Sequence, residues 1–165
     1  MPERDRWPQP FIRTPFNEYG GHFSPDGRWL AYSSDESGRF EVYVQPFSDP
    51  SAIASGRQAG PSGKWQISTE GGGGDEKWPR WARNGRELFY RNGSRMMAVD
   101  IQTEPTFTAG KPRLLFEGQY ADYWDVAPDG QRFLMTQAVE PEQPATQINV
   151  VLNWFEELKK RVPTK

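Results

Sequence analysis

The sequence predicts an all-β fold of short antiparallel strands, and three observations support this prediction. Gly (16 residues) and Pro (15 residues) make up almost a fifth of the 165 residues, and 14% of the residues are aromatic. Many turn residues combined with many large rings favour short strands packed face to face over helices. The third observation is a turn sequence that occurs three times.

The repeated turn has Asp or Asn directly before Gly, between two apolar stretches. Its copies are residues 23–32 (FSPDGRWLAY), 81–90 (WARNGRELFY) and 126–135 (VAPDGQRFLM). Pro presets φ, Asp or Asn tolerates the bend, and Gly takes the left-handed position that closes a hairpin. The intervals between Gly27, Gly85 and Gly130 are close to the length of a propeller blade.

The stretches between these turns alternate in polarity or are rich in β-branched and aromatic residues, which predicts strands. Three sets of four strands follow, at 11–14, 20–24, 29–33 and 40–45, then 65–68, 78–82, 87–91 and 96–101, then 113–116, 123–127, 132–136 and 147–152. The prediction is therefore a β-propeller segment of about three four-stranded antiparallel blades.

The predicted organisation begins with a connector and ends with a short helical turn. Its units are a connector at 1–10, blade one at 11–47, blade two at 64–101, blade three at 112–153 and a C-terminal helical tail at 154–165. The tail is predicted helical because Trp154, Phe155, Leu158 and Val162 fall on one helix face.

Three blades do not close a ring, because propellers have four to eight blades and an open array leaves apolar faces uncovered. We therefore expect the chain to be the C-terminal part of a larger propeller, or half of one that a second copy completes. Phe11 begins a predicted blade with no capping element before it, which weakly favours the first alternative.

The composition limits the range of partners. The net charge is −2, and the 20 basic and 22 acidic residues are interspersed. Because no basic stripe is present to neutralise phosphates, we expect no nucleic-acid partner.

The absence of Cys excludes disulfides, thiolate zinc sites and Cys nucleophiles. The apolar runs are short and residues 1–10 are charged and Pro-rich, so we expect no membrane span and no signal peptide in this chain.

Two glycine-containing fragments resemble phosphate-binding motifs without meeting their spacing. Residues 60–65 (GPSGKW) have Gln58 where a phosphate loop needs its first Gly, and Trp65 where Ser or Thr should follow the lysine. The glycines at 71–74 do not open a helix after a strand, as a dinucleotide site requires. We interpret both fragments as loops.

No catalytic, cofactor-binding or metal-binding residue is predicted, and the binding residues stay unidentified at this stage. His22 is the single histidine, without a Gly-x-Ser-x-Gly elbow, and we interpret it as a structural strand or loop residue. The carboxylates Asp35 and Glu36, and likewise Asp122 and Asp125, lack the spacing of a calcium loop and are interpreted as solvated turn residues.

Two further patterns have both a structural and a functional interpretation. Residues 92–94 (NGS) match a glycosylation sequon, but Asn-Gly between two strands is first a hairpin turn. Five tryptophans could form a sugar-binding platform, but their recurrence inside predicted strands favours packing between blades. These are Trp29, Trp65, Trp78, Trp81 and Trp124.

Four stretches carry a common repeat pattern: residues 23–38 (FSPDGRWLAYSSDESG), 41–44 (EVYV), 64–69 (KWQIST) and 127–134 (APDGQRFL). They resemble the WD-like, TolB-type β-propeller repeat of bacteria. Together with the ending at 149–158 (NVVLNWFEEL), they resemble a subgroup in which such propellers form the C-terminal part of serine/threonine kinase-like or TolB-like proteins. Residues 82–85 (ARNG) depart from the Ser-Pro-Asp-Gly pattern but keep the turn. No kinase motif is present in the sequence.

This resemblance implies a six-bladed propeller in a longer protein, used as a binding or sensing platform without catalytic residues of its own. It slightly favours a periplasmic or extracytoplasmic location. We expect a non-catalytic module for a protein or peptide partner. The alternatives are an appendage that gates a peptidase or hydrolase whose catalytic domain lies outside this chain, and a remnant reading frame without an independent role.

Overall fold

A computed structural model describes residues 10–47, 63–74 and 78–137, and the regular elements in these ranges are all β-strands. The all-β prediction is therefore confirmed for the described part of the chain. Its strands are β1 (Glu18–Phe23), β2 (Trp29–Ser34), β3 (Glu41–Pro46), β4 (Trp65–Gln66), β5 (Arg80–Trp81), β6 (Glu87–Asn92), β7 (Arg95–Gln102), β8 (Thr108–Ala109), β9 (Arg113–Glu117), β10 (Trp124–Val126) and β11 (Phe133–Met135).

These strands form three antiparallel sheets in chain order. Sheet one has the order β1-β2-β3-β4, with β1 at one edge. Sheet two has the order β5-β6-β7, and both β8 and β9 pair along the far edge of β7. The third sheet is the β10–β11 hairpin. Within the described ranges, no helix is long and apolar enough to cross a membrane.

The three sheets stack face to face, because the central strands of sheet two bury both of their faces. In β6, Leu88 and Tyr90 join the core shared with sheet one, whereas Phe89 between them joins the core shared with the β10–β11 hairpin. Successive side chains of a strand point to opposite faces, so one strand can serve two cores. The order of stacking is therefore the order of the sheets along the chain.

Large side chains fill the two cores. Trp29 and Val42 of sheet one pack in the first core, where the Trp29 ring lies 4.7 Å from the ring of Phe107. Trp124 and Phe133 of the hairpin pack in the second core, where the Phe133 ring meets that of Phe89 edge-on at 5.1 Å. Edge-on and tilted ring pairs add to the stabilisation from apolar burial.

The repeated turn has the same geometry in all three copies. Gly27 donates its N–H to the carbonyl of Ser24 at 2.8 Å, and Gly85 and Gly130 make the equivalent bonds at 2.9 and 2.8 Å. Their φ angles are 71°, 69° and 69°. The acidic or amide side chain before each glycine accepts the N–H two residues later, at 2.9 to 3.1 Å. The predicted left-handed glycine is confirmed in each copy.

The strand assignment differs from the prediction in the first strand of each set, and β8 is an additional strand that the prediction does not contain. Residues 11–14 do not form a strand: Ile12 packs on the outer face of sheet one, and the Phe11 ring lies 4.9 Å from that of Phe47. β4, predicted to open the second set, instead pairs with β3, and β9, predicted to open the third, pairs with β7. The sequence pattern marks the positions of β4 and β9, but it does not mark which free edge each of them pairs with.

Three predicted elements lie outside the described residues. They are the connector at 1–10, of which only Pro10 is described, the strand at 147–152 and the helical tail at 154–165.

The glycines at 71–74 form a loop, as predicted, and pass between sheets one and two. Gly72 donates to the carbonyl of Phe40 at 3.0 Å, and Gly73 donates to the carbonyl of Arg91 in β6 at 3.0 Å. A Cβ at Gly72 would lie 2.6 Å from Cδ2 of Tyr90, and one at Gly73 would overlap Oγ of Ser33. The two central positions of this loop therefore have no room for a side chain and require glycine.

The repeated turn yields a test of backbone strain alone, because a Cβ at Gly27 would meet no atom within 4 Å. We expect Gly27→Val to lower the free energy of unfolding by about 1–3 kcal/mol, since a β-branched residue resists positive φ. Gly27→Asn, whose side chain tolerates this conformation, should cost less. Urea denaturation of both variants measures the difference, and equal stability of Gly27→Val and the parent would contradict the turn geometry.

The loop at 71–74 allows a test of how tightly its glycines pack against the neighbouring side chains. We expect Gly73→Ala to destabilise the fold by about 1–3 kcal/mol more than Gly38→Ala, because both glycines have positive φ but only the first adds a clash with buried Ser33. A Cβ at Gly38 would meet no atom within 4 Å. Equal losses of unfolding free energy for the two variants in thermal or urea denaturation would show that the loop at 71–74 is not tightly packed.

Candidate functional site

The first strands of the three sheets lie side by side and meet in one pocket. Trp81 of β5 donates its indole N–H to the carbonyl of His22 in β1 at 3.1 Å. Nε of Arg80 in β5 lies 4.0 Å from Oδ1 of Asp125 in β10. These contacts join sheet one to sheet two, and sheet two to the hairpin. We call the space between the three strands the first-strand pocket.

The first-strand pocket has a volume of about 290 Å³ and a mostly apolar wall. Among the described residues, its ionisable groups are two cationic side chains, one carboxylate and the imidazole. Its lining residues are His22, Phe23, Pro25, Arg80, Trp81, Arg83, Asp125, Val126, Ala127 and Pro128.

The three polar strand residues of this pocket occupy one position of the repeat. His22, Arg80 and Asp125 each stand five residues before the glycine of a turn. Because the three turns have the same hydrogen bonds and the sheets stack in order, residues at one repeat position come together in space. The repeat therefore explains why residues far apart in sequence share a pocket.

Arg80 and His22 each have an unsatisfied buried nitrogen in this pocket. Nε of Arg80 and Nδ1 of His22 are buried and have no hydrogen-bond partner among the described residues. The Asp125 carboxylate is two-thirds exposed, and its Oδ1 accepts the N–H of Val126 at 2.8 Å. At 4.0 Å it does not hydrogen-bond Arg80. Buried polar atoms are normally paired, so these two nitrogens mark a place suited to a ligand.

The pocket has a positive balance of charge. Burial lowers the pKa of His22 from its ordinary value of 6.5, the Arg80 guanidinium lowers it further, and the Asp125 carboxylate raises it in part. These surroundings therefore favour the neutral form of His22. Arg80 and Arg83 together outweigh the single carboxylate of Asp125, which leaves an excess of one positive charge.

The chemistry of the lining suits binding. Among the described residues, those that line the pocket include no Ser, Thr or Cys, so no side-chain nucleophile of these types stands beside His22. The described residues also contain no group of three or more His, Cys, Asp or Glu that could hold a metal ion. An exposed Arg, a buried Arg nitrogen and apolar walls fit an anionic group on an apolar stem.

Other residues with a possible functional interpretation are engaged locally. Asp35 accepts the backbone N–H of Asn17 at 2.9 Å and its amide N–H at 2.7 Å, and these bonds lower the pKa of Asp35. Glu36 is 2.6 Å from the Lys64 ammonium, in the fragment that resembled a phosphate loop. Asn92, in the sequon, donates to the carbonyl of Glu70 at 3.0 Å and ends β6 at a two-residue hairpin turn.

The tryptophans pack in the structure as the sequence predicts. Trp29, Trp65 and Trp81 belong to the core between sheets one and two, and Trp124 belongs to the core between sheet two and the hairpin. Trp78 covers Gly20, where a Cβ would lie within 2.7 Å of Cδ1 of its ring. None of these five tryptophans forms part of an exposed ring platform in the described residues, because all are buried or half-buried.

The pocket brings together residues that the sequence-based interpretation keeps apart, since that interpretation treats His22 alone and pairs Asp125 with Asp122. The signal for the pocket is present in the sequence: an alignment of the three repeats on Gly27, Gly85 and Gly130 places His22, Arg80 and Asp125 in one column. The sequence matches no protein-family model and no curated protein.

The geometry predicts the direction of two pKa changes at His22. We expect the pKa of His22 to lie below 6.5, to rise in Arg80→Gln, and to fall further in Asp125→Asn, since these changes remove a repelling cation and an attracting anion. NMR titration of the single imidazole measures all three values without ambiguity. A pKa above 6.5 in the parent, or a fall in Arg80→Gln, would contradict the described surroundings.

The same shift affects stability at low pH. The unfolded chain, with a higher His pKa, takes up the proton first as the pH falls through about 6.5. The contribution of His22 to stability is therefore present above this pH and is lost as the pH falls towards the folded pKa. His22→Gln should remove this part of the pH dependence in urea denaturation.

Proposed function

We propose that this chain is a non-catalytic binding module of the β-propeller type, and that its first-strand pocket contacts a protein or peptide partner. The single observation that carries the proposal is the meeting of His22, Arg80 and Asp125, which stand at one repeat position on three successive sheets. Loops and edges of a rigid repeat scaffold are common places for binding residues.

The stacking of sheets supports the propeller part of the proposal. Consecutive four-stranded antiparallel meanders that stack face to face, with their first strands on a common side, are the arrangement of propeller blades around a channel. Sheet one follows this meander order, and sheet two does so through β5, β6, β7 and β9. In this proposal, the first-strand pocket opens to the channel of a ring with six blades.

A cationic pocket with apolar walls supports peptide binding more than catalysis. A rigid pocket of this kind can take one side chain of a partner while the neighbouring strands contact its backbone. Phe23, which is 50% exposed, lines the pocket from β1 together with Arg80. Aromatic residues and Arg are enriched in protein interfaces.

Selection from a displayed random-peptide library against the immobilised chain tests this function. We expect enriched peptides whose affinity falls about tenfold or more in Arg80→Gln and in Arg83→Gln, because each variant removes a charged hydrogen-bond donor from the pocket. Arg13→Gln and Arg95→Gln remove the same charge from exposed positions outside the pocket and should bind as the parent does. No enrichment, or equal losses in all four variants, would contradict the proposal.

Ring completion by self-association is part of the same proposal and has its own test. On β11, Leu134 is 70% exposed on the face opposite to Phe133 and Met135, which pack against sheet two. We expect light scattering to give twice the 18.9 kDa mass of the chain, since a second copy would cover this face. A monomer across a concentration series would contradict self-association and assign the remaining blades to a longer protein.

A further inference from the structure

We propose that the first-strand pocket recognises an acidic side chain, and that Arg80 and Arg83 bind its carboxylate between the first strands of three sheets. This inference rests on the proposed function and specifies the ligand of the same pocket. Its observations are the unsatisfied nitrogens, the excess positive charge, the apolar walls and the small volume of the pocket.

Arg80 has a hydrogen-bond donor without an acceptor among the described residues. Nε of Arg80 is buried without a partner, while 27% of the Arg80 side chain stays exposed to what enters the pocket. A guanidinium and a carboxylate form paired, charge-assisted hydrogen bonds with matching planar geometry. Arg80 lines the pocket with an exposed part of its side chain, so an acidic side chain that reaches the guanidinium would supply an acceptor that the described part of the protein does not provide.

Asp125 competes with an incoming carboxylate for Arg80. Asp125 already holds a carboxylate 4.0 Å from Arg80, which is near enough for attraction but too far for a hydrogen bond. Its Oδ1 is engaged with the N–H of Val126. Asp125 therefore reduces the electrostatic attraction of Arg80 for an incoming carboxylate but does not occupy its hydrogen-bonding position. Removal of the Asp125 charge should therefore strengthen binding of the carboxylate.

The pocket is small. A cavity of about 290 Å³ is at the lower limit of small-molecule sites, which span about 300–1,000 Å³. It suits one side chain better than a nucleotide or a cofactor. Phe23 and Pro128, which line the pocket, would provide apolar contact for the methylene groups of glutamate, and Arg80 and Arg83 in the same lining would pair with its charged end.

The experiment uses the single imidazole of His22 as a reporter inside the pocket. The chain is titrated with three dipeptide probes: acetyl-Phe-Glu-amide, its neutral isostere acetyl-Phe-Gln-amide, and acetyl-Gln-Phe with a free C-terminal carboxylate. Chemical shifts of His22 are followed by NMR at constant pH and ionic strength. Because the chain has one histidine, the signal needs no assignment.

We expect acetyl-Phe-Glu-amide to shift the His22 signals in a saturable way, and acetyl-Phe-Gln-amide to bind at least tenfold more weakly. Arg80→Gln should weaken the first probe by about 10- to 100-fold. Asp125→Asn should tighten its binding, by up to about fivefold. Arg95→Gln, which changes an exposed residue outside the pocket, should leave the affinity unchanged. A role of Arg80 in stability alone would not give opposite effects in Arg80→Gln and Asp125→Asn.

Equal binding of the Glu and Gln probes would overturn the inference, and this comparison needs no variant. Preference for acetyl-Gln-Phe over acetyl-Phe-Glu-amide would overturn the assignment to an acidic side chain and indicate a chain terminus. An absence of any His22 shift would overturn the pocket as the carboxylate site. In each case the enrichment of displayed peptides decides separately whether the chain binds peptides at all.

Discussion

The burial of sheet two on both of its faces is the constraint on which the rest of the structure depends. β6 and β7 alternate their apolar side chains between two cores, so that Leu88 and Val99 pack towards sheet one while Phe89 and Met96 pack towards the hairpin. A one-residue slip in either strand would exchange the two sets of side chains. The turn at Gly85 fixes the register between β5 and β6, and the two-residue turn at Gly93 and Ser94 fixes the register between β6 and β7.

The stacking of the sheets also brings together the residues of the candidate site. Stacked sheets with identical turns bring equivalent residues together, and the position five residues before each turn glycine carries a different polar group in every copy. The repeat thus provides a scaffold, while the variation at this one position provides the chemistry. Burial of Arg80 Nε and His22 Nδ1 without a partner costs stability in the free protein. A ligand that pairs with them would recover this free energy, which connects the fold to the proposed function.

Much of this fold could be predicted from the sequence, because its signals are local. The turn at Gly27 needs only a short range of residues to specify a left-handed glycine, and all three copies have the expected hydrogen bonds. Strand pairing is not local, and so β4 and β9 were assigned to the wrong sheets. The site was missed for the same reason: Arg80 and Asp125 meet only through stacking. The role of residues 71–74 likewise needed the packing of Tyr90 and Ser33 around them.

The central claim is that the first strands of successive sheets form one binding edge, and hydrogen exchange with an enriched peptide tests it most directly. The account predicts that bound peptide slows amide exchange in β1, β5 and β10 and in the residues that follow them, and leaves exchange in β4, β8 and β9 unchanged. These two groups of strands lie on opposite sides of the sheets. Protection confined to β4, β8 and β9 would contradict the account, because it would place the partner on the outer edge.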